Sequence, residues 1–214
     1  MHTASAPSEI VIGPGTGPSG GFSTASPPPP RGHLTAWLER GRRHLRSATV
    51  HWPTRVRIRG RLTDLAGRPL ARTPVRMFER FDGRRWQATT GLETRHDGRL
   101  TTFTRIGPSR WVRLQYGRAL VTLRVRVRAR VRLRVRRQGS RTLVRGRVLG
   151  GAVPPAGLRL LLQSRARWRW ATRAALRTDG LGRFSAIGRT PAGVRLRVVV
   201  PAQRGYPFAR GESR

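Results

Sequence analysis

From about residue 54 onward, apolar and polar side chains alternate with a period of two, the pattern of strands that have one dry and one wet face. Val56, Ile58 and Leu62 alternate with Arg57, Arg59 and Arg61; Val112, Leu114 and Tyr116 form a second run, and Val194, Leu196 and Val198 a third. Turn chemistry separates these runs, at Asp64 to Gly67, Asp82-Gly83, Asp97-Gly98, Pro154-Pro155 and Asp179-Gly180. Short strands with frequent turns predict an all-β sandwich architecture and argue against helical and βαβ folds.

The clearest alternation spans Leu123 to Arg136, with Leu123, Val125, Val127, Ala129, Val131, Leu133 and Val135 on one face. The other face carries Arg124, Arg126, Arg128, Arg130, Arg132, Arg134 and Arg136. Strands usually run to about 5 or 6 residues, so this run is too long for one ordinary strand. Splitting it near Ala129-Arg130 makes the last strand of one module continue into the first strand of the next without a hinge. The sequence then divides into a linker (1–33), a first sandwich (34–129) and a second (130–214), expected to behave as a semi-rigid rod.

An internal repeat supports this division. At a constant offset of 84, Trp86, Leu92, Thr94, Gly98 and Arg99 answer Trp170, Leu176, Thr178, Gly182 and Arg183, and Leu100 answers Phe184. Gly60-Arg61 answers Gly146-Arg147 once a small indel is allowed. The repeat would also make LTAWLER, residues 34–40, a first strand equivalent to VRLRVRR, although Leu34, Trp37, Leu38 and Leu45 stand at helical spacing. After Tyr116 the first copy has residues 118–128 for a closing strand, whereas after Tyr206 the second has only Pro207 to Arg214. The second copy is therefore expected to lack its last strand and to expose a sheet edge.

Asp64, Gly67, Pro69 and Leu70 fit a D-x-x-G-x-P-L turn, and Thr94, Asp97, Gly98 and Arg99 a T-x-x-D-G-R turn. With these two turns the chain resembles the bacterial carboxypeptidase-regulatory-like and related immunoglobulin-like repeats, sandwiches of the transthyretin-like kind. The second copy departs from the pattern: GRVLGGAVPPAGLRL lacks the Asp, and TDGLGRF moves its Asp to position 179, while Gly182 and Phe184 keep their places. The resemblance implies tandem modules appended to secreted or surface proteins, without catalytic residues, whose partners are a cell-surface polymer or other domains of a longer parent protein.

Composition narrows the chemistry. Lys and Arg total 45 against 9 acidic residues, a net charge of +36, and every basic residue is Arg. Lys and Asn are both absent, which a GC-biased coding sequence produces without selection for charge. Leu, Ile, Val and Phe sum to 49, just above the one-fifth share under which a charged chain stays unfolded, so the core is thin. Residues 1–33 are rich in Pro, Gly, Ser and Thr, lack the basic start and apolar run of a secretory signal, and read as a flexible linker stiffened at Pro27 to Pro30. A linker at the very start leads to the expectation of a longer parent protein or a fragment. No apolar window is long enough for a helical membrane span. The absence of Cys excludes disulfides, thiolate nucleophiles and Cys metal sites.

The five His residues have no spacing that converges on a metal, so no metal or cofactor is expected. Asp64, Asp82, Asp97 and Asp179 stand close to turn glycines, where the carboxylate caps its own turn, and neither a paired acid nor a G-x-S-x-G elbow is visible. Trp86 and Trp170, at matching repeat positions, are expected to anchor the core between the sheets with Leu100 and Phe184. Alternate Arg residues on one strand project about 6.7 Å apart, inside a Debye length of roughly 8 Å. They form either a solvated face whose aliphatic stems cover the sheet or a polyanion-binding stripe suited to phosphate and carboxylate. Non-specific binding to nucleic acid at low salt is expected in either case. The sequence thus predicts a non-catalytic spacer or adhesion module of a bacterial secreted or surface protein, with a polyanion-binding module as the alternative.

Overall fold

A computed structural model describes residues 31–213 apart from 82, 83, 90 and 192; the Asp82-Gly83 turn and residues 1–30 of the linker lie outside the described residues. Alternation makes strands throughout. In chain order they are β1 (His33–Arg40), β2 (Arg43–Leu45), β3 (Ser47–His51), β4 (Arg57–Thr63), β5 (Pro74–Phe81), β6 (Gln87–Ala88), β7 (Leu92–Glu93) and β8 (Arg99–Phe103). They continue with β9 (Arg110–Tyr116), β10 (Ala119–Gln138), β11 (Arg141–Leu149), β12 (Arg159–Ala166), β13 (Arg169–Arg177), β14 (Arg183–Arg189), β15 (Leu196–Val200) and β16 (Ala209–Ser213). The described residues contain no helix, and the LTAWLER segment is a strand that buries Leu34, Ala36 and Leu38.

The first sandwich packs the sheet β2-β1-β4-β8 against a sheet in which β10 pairs with β9, β9 with β5, and β3 runs parallel to β10. The second repeats the plan. Its first sheet is β10-β11-β14, and its second is β13-β12-β15-β16. In both copies the first, second and a later strand share one sheet while the third, the penultimate and the last share the other, which is the immunoglobulin-like arrangement.

β10 belongs to both copies. Its residues 119–125 pair with β9, and residues 130–138 pair with β11. The strand is continuous through Ala129-Arg130, and at about 3.3 Å per residue its 20 residues reach roughly 65 Å. Its inward residues Leu123, Val125, Val127, Ala129 and Val131 are almost fully buried and join the two interiors into one apolar cluster. Cross-links brace the junction: Trp52 N donates to Arg128 O at 3.0 Å, Ser109 N to Pro207 O at 2.8 Å, and Val127 N to Ser109 Oγ at 2.9 Å.

The expectation of a missing last strand is corrected. β16 closes the second sandwich, antiparallel to β15 and parallel to β10. Its five residues are an ordinary strand length, and Gly211 lets it lie close against β10, since a Cβ there would collide with the Ala129 carbonyl. The edge expected to be vacant is therefore occupied, and β10 serves both as the last strand of one copy and as the neighbour of the last strand of the other.

Candidate polyanion face

Arg126, Arg128, Arg130, Arg132, Arg134 and Arg136 are exposed along β10, while Arg124 is half-buried with its guanidinium 4.6 Å from the Trp111 ring. Because β10 changes sheets, the row does not form one neighbourhood. Arg124 belongs to the outer face of the first sandwich, where Trp111 lies beside it. Arg130 to Arg136 belong to the outer face of the β10-β11-β14 sheet.

Strand register turns that second part into a two-dimensional array. Arg132 pairs with Arg147, which pairs with Arg183; Arg134 pairs with Arg145, which pairs with Ser185. At the sheet's end, Gln138 pairs with Arg141 and Arg141 with Arg189. Directly opposed residues share a face with Cβ atoms about 5 Å apart, and like charges so placed repel. From Arg130 onward the sequence has 21 arginines and two acidic side chains, Asp179 and Glu212. Glu212 pairs with Arg197 at 2.9 Å, and Asp179 accepts the amides of Leu181 and Arg183 at 2.9 and 2.7 Å. No ion pair among the described residues reaches the array. Nothing in the sequence joins Arg145, Arg147, Arg183 and Arg189 to the alternating run, because only the register brings them beside it.

Trp86 and Trp170 lie elsewhere, and their expected role as core anchors is corrected. Both indoles are half-exposed on outer faces, each beneath a guanidinium: Arg113 stands 4.1 Å from the Trp86 ring and Arg197 4.2 Å from that of Trp170. Arg80 adds a second cation over Trp86 at 4.9 Å. An indole face attracts a cation while its body still covers the sheet, so the pair is stable at the surface. Arg113 and Arg197 are also 84 residues apart, a signal present in the sequence. Leu100 and Phe184 are buried, at 1% and 6% exposure.

The turn residues are placed by capping. Asp64 Oδ1 accepts the amides of Ala66 and Arg68, both at 2.9 Å, and Oδ2 accepts Arg68 Nε at 2.7 Å, while Gly67 adopts a φ of 83°. Pro69 bridges back to Thr63. Asp97 Oδ1 accepts the Arg99 amide at 3.0 Å, and Gly98 and Gly182 occupy matching left-handed positions at 72° and 77°. The hydrogen bonds of Asp64 to Arg68, and of Asp97 to the Arg99 amide, hold both carboxyls below their usual range. Thr94 and Thr178, which the repeat pairs, are buried and serve as internal pins: Thr94 Oγ1 accepts Thr73 N and donates to Leu70 O, and Thr178 Oγ1 accepts Leu158 N. Among the described residues no group of three or more His, Asp or Glu could hold a metal ion.

No family model matches the chain, and no curated protein matches it. Among solved structures, Salmonella alpha-2-macroglobulin reacted with methylamine is similar at 14% identity and a TM-score of 0.35, over 90% of this chain and 15% of that one. A tetra-tandem repeat from the extending region of a large adhesion protein is similar at 11% identity and TM-score 0.36, over 85% of this chain and 47% of that one. The Yersinia pseudotuberculosis adhesin InvE is similar at 9% identity and TM-score 0.40, over 84% of this chain and 57% of that one. The chain spans less than two thirds of each of these proteins. The likenesses are too distant to carry an argument, and the architecture rests on the strand pairings.

Proposed function

We propose that the chain is a non-catalytic pair of β-sandwich modules, divided inside β10 at Ala129-Arg130, that serves as a spacer or adhesion segment of a bacterial secreted or cell-surface protein. One observation carries this reading: a single 20-residue strand is hydrogen-bonded into both copies, so no hinge separates them. The capped turns at Asp64 and Asp97 support assignment to the carboxypeptidase-regulatory-like kind. A rod of this type transmits position and force and needs no reactive group. Small-angle scattering of the monomer tests it. The expected result is an elongated, two-lobed particle with a fixed angle between lobes; a single near-spherical body, or lobes that sample many angles, would contradict it.

The uncompensated array Arg132, Arg134, Arg145, Arg147 and Arg183 favours a second role, binding to polyanions. Among the described residues the face has no aromatic side chain on which bases could stack, so the contact would be with a phosphodiester backbone and independent of sequence. DNA affinity is expected to fall steeply with salt. Reversing Arg132, Arg134, Arg145 and Arg147 to Glu should weaken it far more than reversing the exposed Arg42, Arg55, Arg105 and Arg118. Equal losses would reduce the effect to net charge.

A further inference from the structure

The interior of the second sandwich is not filled at the end where its first sheet turns back from β10 into β11. A cleft of about 550 Å³ opens there between the two sheets. Its inner walls are Val144 and Ala186 on one side and Leu162, Ala174 and Leu196 on the other, with Val194 at the rim. Leu162, Ala174, Ala186, Val194 and Leu196 are only half-buried.

Two polar groups face this apolar space. Thr142 is 2% exposed, and its hydroxyl has no hydrogen-bond partner among the described residues. Arg173 reaches in because of a β-bulge. Gln163 pairs with Thr172 and Leu162 with Ala174, which leaves Arg173 without an opposite residue. A bulge re-aims a side chain that strict alternation would turn outward. Arg173 Nε accordingly donates to the buried Ser164 Oγ at 2.6 Å, and no carboxylate among the described residues pairs with it. Arg165 and Arg189 flank the same opening.

The first sandwich shows what normally closes this end. Val112 and Leu196 are 84 residues apart, and they pair with Glu79 and Ser164 respectively, so Ser164 stands where Glu79 does. Phe81 pairs with Arg110, and the same register, continued by the Arg165 N to Arg195 O bond, places Ala166 and Val194 there. In the first copy Arg110 Nη1 donates to both Glu79 oxygens, at 3.3 and 3.2 Å, and its guanidinium lies over Phe81. Replacing a glutamate, a phenylalanine and an arginine by Ser164, Ala166 and Val194 removes that plug.

We propose that this cleft binds a single-chain fatty-acid anion, with the acyl chain between the sheets and the carboxylate on Arg173. Apolar walls select a hydrocarbon, and an unpaired guanidinium at the mouth selects a planar carboxylate head. The volume falls within the roughly 300 to 1,000 Å³ usual for small-molecule sites.

Calorimetric titration of the protein with monomeric dodecanoate tests this. Saturation at one equivalent is expected, with dodecyltrimethylammonium binding far more weakly. R173Q should weaken dodecanoate about tenfold or more. A186F, which refills the cleft, should abolish binding, and R132E/R147E on the outer face should leave it unchanged. Unaltered affinity in R173Q, equal binding of the cationic detergent, or many equivalents lost in R132E/R147E would overturn the proposal. Should A186F fail to fold, R173Q still decides, because Arg173 sits on an exposed bulge.

Discussion

At one end of the first sandwich Glu79 and Arg110 are buried together at 4% and 3% exposure with Phe81 beside them, whereas Ser164, Ala166 and Val194 leave the same place in the second sandwich open. The outer faces differ as well. In the first, Glu39 pairs with Arg57 at 3.2 Å and Arg59 at 3.1 Å, and Asp97 lies 3.5 Å from Arg99; on the β10-β11-β14 face of the second, arginine stands opposite arginine and no ion pair among the described residues reaches them. A shared strand plan therefore tolerates opposite solutions inside and outside. Backbone pairing and the alternating apolar face specify the sandwich, while the plug and the surface charge are separate layers that one copy has and the other lacks.

The sharpest way to break this comparison is to remove the plug. Glu79→Ala leaves Arg110 buried without its counter-charge and should cost about 3 to 5 kcal/mol. Ser164→Ala, at the equivalent place, should cost only about 1 kcal/mol. Denaturant melts of the two variants check this, and equal losses would mean that the two ends are packed alike. Next in size are the matched glycines. At Gly146 a Cβ would collide with both the Arg132 carbonyl and the Phe184 ring, whereas at Gly60 the closest contacts are longer, the Thr35 carbonyl at 2.6 Å and the buried Leu100 side chain at 3.2 Å. Gly146→Ala should therefore destabilise by about 3 kcal/mol and Gly60→Ala by less, as thermal melts would show.

Surface charge should act more gently and with opposite sign in the two copies. Arg147→Glu replaces the repulsion of Arg147 by its neighbours Arg132 and Arg183 with attraction and should stabilise by about 0.5 kcal/mol at low salt, the gain shrinking as salt rises. Glu39→Gln, which frees two arginines, should destabilise by at most about 1 kcal/mol. The smallest effects concern titration. Because Asp64 and Asp97 have lowered carboxyl pKa values, the stability they confer is complete above the unfolded-state value near 4 and is lost as pH falls through the lower folded values. Acid melts of Asp64→Asn and Asp97→Asn should accordingly lose part of the wild-type pH dependence below pH 4. Tyr206 behaves conversely: burial raises its phenol pKa and its hydroxyl has no partner among the described residues, so Tyr206→Phe should melt at the wild-type temperature or slightly above.

Much of the architecture was legible because period-two alternation reports burial directly. Val56 and Ile58 in β4, Val112 and Leu114 in β9, and the inward residues of β10 face the core where the pattern puts them. What escaped the sequence depends on register and on irregularity. Arg147 and Arg183 join Arg132 only through pairing across three strands, and Arg173 turns inward only because a bulge breaks the alternation at that point. Trp86 and Trp170 are ambiguous in the sequence for a chemical reason: an indole is large enough to anchor a core, yet with a guanidinium over its face it is also stable at the surface. The closing strand is hard to see in the sequence because Pro207 to Arg214 is short and weakly alternating, yet five residues make an ordinary strand and Gly211 allows it to lie close to β10.

Amide hydrogen exchange along β10 tests the central claim most directly. If one strand is shared by both sandwiches, amides from Leu123 to Val135 that are hydrogen-bonded in the sheets should exchange slowly, with no break in protection at Ala129-Arg130. A window of fast exchange centred on those two residues, between two protected halves, would show a hinge and contradict the account.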